Sequence, residues 1–186
     1  MKNVKLFGVL GSVFLLLRVV PEVGGILILL GFITTLIAIV FLYRATRDRY
    51  ILLNYSISLA ITIITTIVSA VYITIAVFNP EKAPFGAELA DIVLGILPLI
   101  SAFFLLRSYR RIAHTLDVFF FSVTGIASLC FAILATLFAV YIGLAVAPAF
   151  AVTLRQLIIL LSFIVIPVLQ LISFARIPTK VSRFTS

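Results

Sequence analysis

Six hydroxyl-bearing residues, Tyr55, Ser58, Thr62, Thr65, Ser69 and Tyr72, recur at steps of 3, 4, 3, 4 and 3 within an otherwise apolar stretch. Residues three and four apart share one face of a helix, so all six form a single stripe. In a membrane such a stripe has two uses. The hydroxyls can line a path for a small polar solute, or they can bond across a helix–helix interface where small side chains let backbones approach. Interface packing is the commoner use, and it expects every stripe position to be buried against protein. A row of small residues further along, Gly125, Ser128, Ala132, Ala135 and Ala139, offers a matching face. Pairing of the two faces is the expected core.

A second constellation is basic. Arg107, Arg110, Arg111 and His114 recur at 0, 3, 4 and 7, one face of a helical extension. With Arg44, Arg47 and Arg49 they make a collar of positive charge. Such a collar suits anionic lipid headgroups, at about 1 kcal/mol per basic residue near the surface; the same charge also fits an acidic protein partner. Nothing else suggests a reaction. The phosphate loop GxxxxGK and the HExxH and GxSxG patterns are absent, and no carboxylate pair is spaced for acid–base work. Cys130 is the one cysteine and His114 the one histidine, which leaves no metal-ligand spacing. No catalytic residue, cofactor or metal site is expected, and the chain is not read as an enzyme. Asp48 and Asp117 fall on one boundary of the apolar runs, and Glu88 and Asp91 in the first turns of the fourth run. Coupled transporters and pumps place ionisable groups in mid-membrane. Here none is expected there, which argues against ion-coupled transport.

The elements that carry these residues follow from composition. Of 186 residues, 64% are hydrophobic and 11% charged, against about half and roughly 25% in a soluble domain. A core this small cannot hide the excess, which must face lipid or other membrane proteins. Six apolar runs are legible, at 4–20, 25–43, 51–78, 85–106, 118–147 and 156–175. About 20 helical residues cross the ~30 Å of hydrocarbon. The expected fold is therefore all-α: one membrane domain over 1–186, a polytopic bundle of six transmembrane helices. The third and fifth runs exceed the bilayer and must tilt or project. Residues 1–17 mimic a signal peptide, but no small-residue cleavage pattern follows, so a retained first helix is expected. Pro98 and Pro167 each remove a backbone donor and kink their helices, with Gln170 one turn from the second kink.

The net charge of +8 does not point to nucleic acid, since the basic residues flank apolar runs rather than forming a long stretch interleaved with aromatics. Eleven of the fourteen fall on one side: Lys2, Lys5, Arg44, Arg47, Arg49, Arg107, Arg110, Arg111, Arg176, Lys180 and Arg183. Arg18, Lys82 and Arg155 fall on the other, with Glu22, Glu81, Glu88 and Asp91. By the positive-inside rule the rich side is cytoplasmic, with both termini, and the location is the cell membrane. Tyr43, Tyr50 and Tyr109 mark the same boundary as interface anchors. An internal repeat is also legible, 25–80 against 88–148. Arg44 corresponds to Arg107, and Ala70-Val71-Tyr72-Ile73 recurs as Ala139-Val140-Tyr141-Ile142. Units of two helices make such a repeat parallel.

Over residues 4–60 the chain resembles a family of mainly archaeal multi-pass membrane proteins known as a domain of unknown function. The features are a glycine-rich first helix (Gly8, Gly11, Ser12), the turn 21–25, Gly31, Ala38, then Asp48-Arg49-Tyr50-Ile51 and Asn54-Tyr55. The resemblance implies membrane location and no activity. The scarcity of Asn, Gln, Cys and Met fits a thermophilic source. The functional expectation is an accessory or assembly subunit that packs against other membrane proteins or itself, amid membrane lipids. A small-solute transporter or channel is the alternative, and a headgroup-binding protein the third reading. The charge alternation makes a direct prediction: on a Cys130→Ser background, cysteines at Lys82 and at Ala149 react with an impermeant reagent added outside intact cells. Labelling only after permeabilisation overturns the six-helix topology.

Overall fold

The computed structural model describes residues 1–178 other than 19, 21, 79–86 and 145–148. The side chains of 73, 76, 77, 87–94, 142–144, 149 and 151 lie outside that description. Pro80, Glu81, Lys82, Pro148, Lys180 and Arg183 lie outside the described residues, as do the side chains of Glu88 and Asp91.

The chain is all-α. Its helices are α1 (Lys2–Leu17), α2 (Gly24–Thr46), α3 (Arg49–Phe78), α4 (Ala87–Leu116), α5 (Phe119–Leu144) and α6 (Ala149–Ala175). Four contain stretches long and apolar enough to cross a membrane: Gly24–Thr46, Arg49–Tyr72, Phe119–Tyr141 and Val152–Ala175. With no water to satisfy exposed amides, a spanning segment must bond its own backbone, which is what these helices do. The 16 residues of α1 rise only ~24 Å, and the last turns of α4 are basic.

The two turns at the basic end share one construction. Arg47 adopts a left-handed φ of 57°, and its N–H donates to the Tyr43 carbonyl at 2.8 Å. The Asp48 carboxylate then accepts the Tyr50 N–H at 3.1 Å and caps α3. Asp117 repeats the left-handed step at φ 55°, followed by a single residue before α5. Counting from these turns, Arg44 is equivalent to His114 rather than to Arg107, because α4 runs unbroken through the collar and absorbs the difference in spacing.

Each helix packs on its neighbours in sequence, and α6 returns to α1, so the six stand in a ring. The α4–α5 interface is the largest and α2–α3 the smallest. Among the described residues the expected pairing of α3 with α5 is not found. Gly125 and Ala139 of the small row pack against α4 instead. A Cβ on Gly125 would stand 3.1 Å from Leu106 Cα and 3.3 Å from Tyr109 Cβ, and Thr136 donates to the Gly95 carbonyl at 2.7 Å. Close approach also joins α1 to α2, where a Cβ on Gly11 would lie 2.9 Å from the Thr35 backbone nitrogen.

The core collects at the basic end of the ring. Val4, Leu42, Ile51, Ile112, Phe121 and Phe174, one from each helix, are buried together. Phe121 meets Phe174 edge-on at 5.1 Å and Tyr109 at 5.6 Å, the arrangement aromatic quadrupoles favour. Tyr109 is therefore a core residue at 1% exposure rather than an interface anchor. Tyr50 is half exposed.

The packing predicts that Gly125→Val, which drives two methyls into Leu106 and Tyr109, destabilises by roughly 1–3 kcal/mol. Gly25→Ala, where an added Cβ meets nothing within 4 Å, leaves stability unchanged or raised. Thermal unfolding of both variants in mild detergent checks the contrast.

Candidate functional site

Beyond the aromatic core the ring does not close on itself. It surrounds a cavity of about 670 Å³ lined by residues of all six helices. All six stripe residues of α3, Tyr55, Ser58, Thr62, Thr65, Ser69 and Tyr72, contribute to its wall. So do Gly95, Pro98, Ser101 and Leu105 of α4, Ser128, Phe131, Ala132 and Ala135 of α5, and Ser162, Ile166, Pro167 and Gln170 of α6. Leu15 and Phe32 complete the side formed by α1 and α2. Both helix-interior prolines thus lie on the cavity wall.

The stripe divides between its two uses. Ser58 and Thr62 serve packing: the Ser101 hydroxyl lies 2.9 Å from Ser58 Oγ and 2.8 Å from Thr62 Oγ1, and 2.9 Å from the Ser58 carbonyl. That knot ties α3 to α4. Below it Ser108 donates to the Ile51 carbonyl at 3.0 Å. Thr65 differs, because its hydroxyl donates to the Ile61 carbonyl of its own helix at 2.7 Å while its side chain faces the cavity. The paired tyrosines of the sequence repeat also have different surroundings: Tyr72 lines the cavity, whereas Tyr141 is 49% exposed.

Two arginines join the wall, and sequence reasoning had assigned both to the outer side. Arg18 caps the short α1, so it stands beside the cavity, with its guanidinium carbon 3.6 Å from the centre of the Phe163 ring. No hydrogen-bond acceptor among the described residues reaches its Nε. Arg155 lies inside α6, which begins at Ala149 rather than at 156. A signal for Arg155 was present: with Ile159, Ser162, Ile166 and Gln170 it continues one helical face at steps of four, three, four and four. For Arg18 none was, since its place depends on α1 being shorter than its neighbours.

The collar stays at the opposite, plugged end. Arg44, Arg47, Arg49, Arg107, Arg110, Arg111 and His114 are all exposed. Arg111 Nε contacts Asp48 Oδ2 at 2.6 Å, which raises the proton affinity of the guanidinium further and ties the end of α4 to the α2–α3 turn. Arg49 and Arg111 flank Tyr50 at 5.7 and 5.6 Å. Among the described residues no three His, Cys, Asp or Glu side chains gather as metal ligands. Comparison with protein-family models, curated proteins and solved structures returns no match.

The two environments within one stripe make opposite predictions. Ser58→Leu forces a larger apolar group into the α3–α4 knot and destabilises by roughly 1–3 kcal/mol. Thr65→Leu extends into the cavity and is tolerated. Equal losses in thermal stability for both variants contradict this division of the stripe.

Proposed function

We propose that this chain is a six-span membrane protein that binds a small molecule in the cavity between its helices, and so moves or presents it within the membrane. The observation that carries the reading is the cavity itself, about 670 Å³, within the ~300–1,000 Å³ range of ordinary ligand sites. Its wall combines apolar surface with a limited set of polar groups, the usual composition of such a site. Six spans are supported by the ring, since α1 and α4 stand beside the four long apolar helices rather than apart from them. Orientation with the collar and both termini in the cytoplasm rests on the charge asymmetry, in the cell membrane where that rule applies. The exposed arginines then meet anionic headgroups.

Use as an accessory subunit draws on the exposed apolar faces of the ring, such as Ile26, Leu29, Ile64, Ile67 and Leu137. Lipid contact accounts for those faces equally, so the cavity favours binding.

The test is what leaves the membrane with the protein. Wild type purified in mild detergent carries one class of small molecule, enriched over the bulk lipid extract and near one per chain by mass spectrometry. Ala132→Phe, which fills the cavity from α5, loses it. Wild type with no enriched small molecule but with other polypeptides in fixed ratio replaces this reading with the accessory-subunit one.

A further inference from the structure

The position of Arg18 narrows the class of molecule, an inference that rests on the cavity being a binding site. At 1.5 Å per residue, Arg18 stands ~24 Å from Lys2, whereas α3 runs ~45 Å over its 30 residues. The guanidinium is thus held within the ring rather than beyond its end, on the wall of the cavity. It stacks on the Phe163 ring, with its guanidinium carbon 3.6 Å from the ring centre. Stacking uses the flat face of the guanidinium and leaves its N–H edge for acceptors. Nε has no acceptor among the described residues. Among the described residues no carboxylate pairs with this half-buried guanidinium, and a planar fork of donors is matched best by a carboxylate or phosphate.

The rest of the cavity does not suit a small hydrated anion. Leu15, Phe32, Leu59 and Phe131 present apolar surface, which favours a body that is itself apolar. Such molecules reside in the bilayer when a membrane encloses the bundle.

We infer that the cavity takes an anionic amphiphile, with its carboxylate or phosphate group on Arg18 and its hydrocarbon chain against the apolar wall. The ligand is lipid-borne rather than a free anion of the aqueous phase.

Native mass spectrometry of the full chain in a nonionic detergent tests this, with palmitate, hexadecanol, butyrate and inorganic phosphate as probes. Palmitate is expected to bind at one per chain, at least about tenfold more tightly than hexadecanol. Arg18→Gln removes that preference and leaves hexadecanol binding intact, which also reports that the variant is folded; Arg18→Lys restores part of it. Equal affinity for palmitate and hexadecanol in wild type, or palmitate binding unchanged in Arg18→Gln, overturns the assignment to Arg18. Butyrate or phosphate competing as well as palmitate overturns the amphiphile. If no probe binds but a neutral molecule co-purifies with wild type and not with Ala132→Phe, the cavity reading survives and this inference falls.

Discussion

A ring of six helices cannot fill its own centre. Helices about 10 Å across, each touching two neighbours, enclose a hole as wide as a seventh helix. Only side chains, water or a guest can occupy it, and the chain resolves this differently at its two ends. At the collar end Tyr109, Phe121 and Phe174 reach inward and are buried at 1%, 0% and 0% exposure. Further along, many of the inward positions are Ser, Thr, Ala and Gly, and the larger residues among them, such as Phe32 and Phe131, leave the centre open. The aromatic plug and the cavity are thus two outcomes of one geometric constraint, set by side-chain volume along the same six faces.

The same constraint explains which features were legible in the sequence. The spacing of Tyr55 through Tyr72 shows that they share a face, and they do. Spacing cannot show what stands opposite that face. Ser101 of α4 meets Ser58 and Thr62, while among the described residues no hydrogen bond crosses to Thr65, so one periodic stripe has two environments. The small row of α5 was legible as a packing face. Its partner was not, because the order of helices round a ring depends on tertiary contacts rather than on periodicity. Helix number and type were legible from apolar run length. The helical extension read from the basic face of α4 is present, continuing through Leu116, but the start of α6 was missed, since it begins at Ala149 rather than at 156.

Charge near the end of an apolar run is ordinarily read as charge at the membrane surface. Arg18 instead stands on the cavity wall, because helices of unequal length share one bundle. An end of α1, after 16 residues, falls beside the interior of α6, which has 27. The sequence contains this information only as a difference between two run lengths, and the run ends themselves are blurred by apolar turn residues such as Val20 and Val23. At the collar the opposite holds: Asp48 joins the two-residue turn to Arg111, and there chain position and spatial position agree.

The aromatic plug has an electrical consequence. A continuous aqueous route through the bundle would let ions leak, and a bilayer maintains its potential only where such routes are closed. With Phe121 packed between Tyr109 and Phe174, aromatic side chains close the hollow toward the collar. In the six-span reading proposed above, a molecule could then dwell in the hollow without opening a continuous aqueous route across the bilayer.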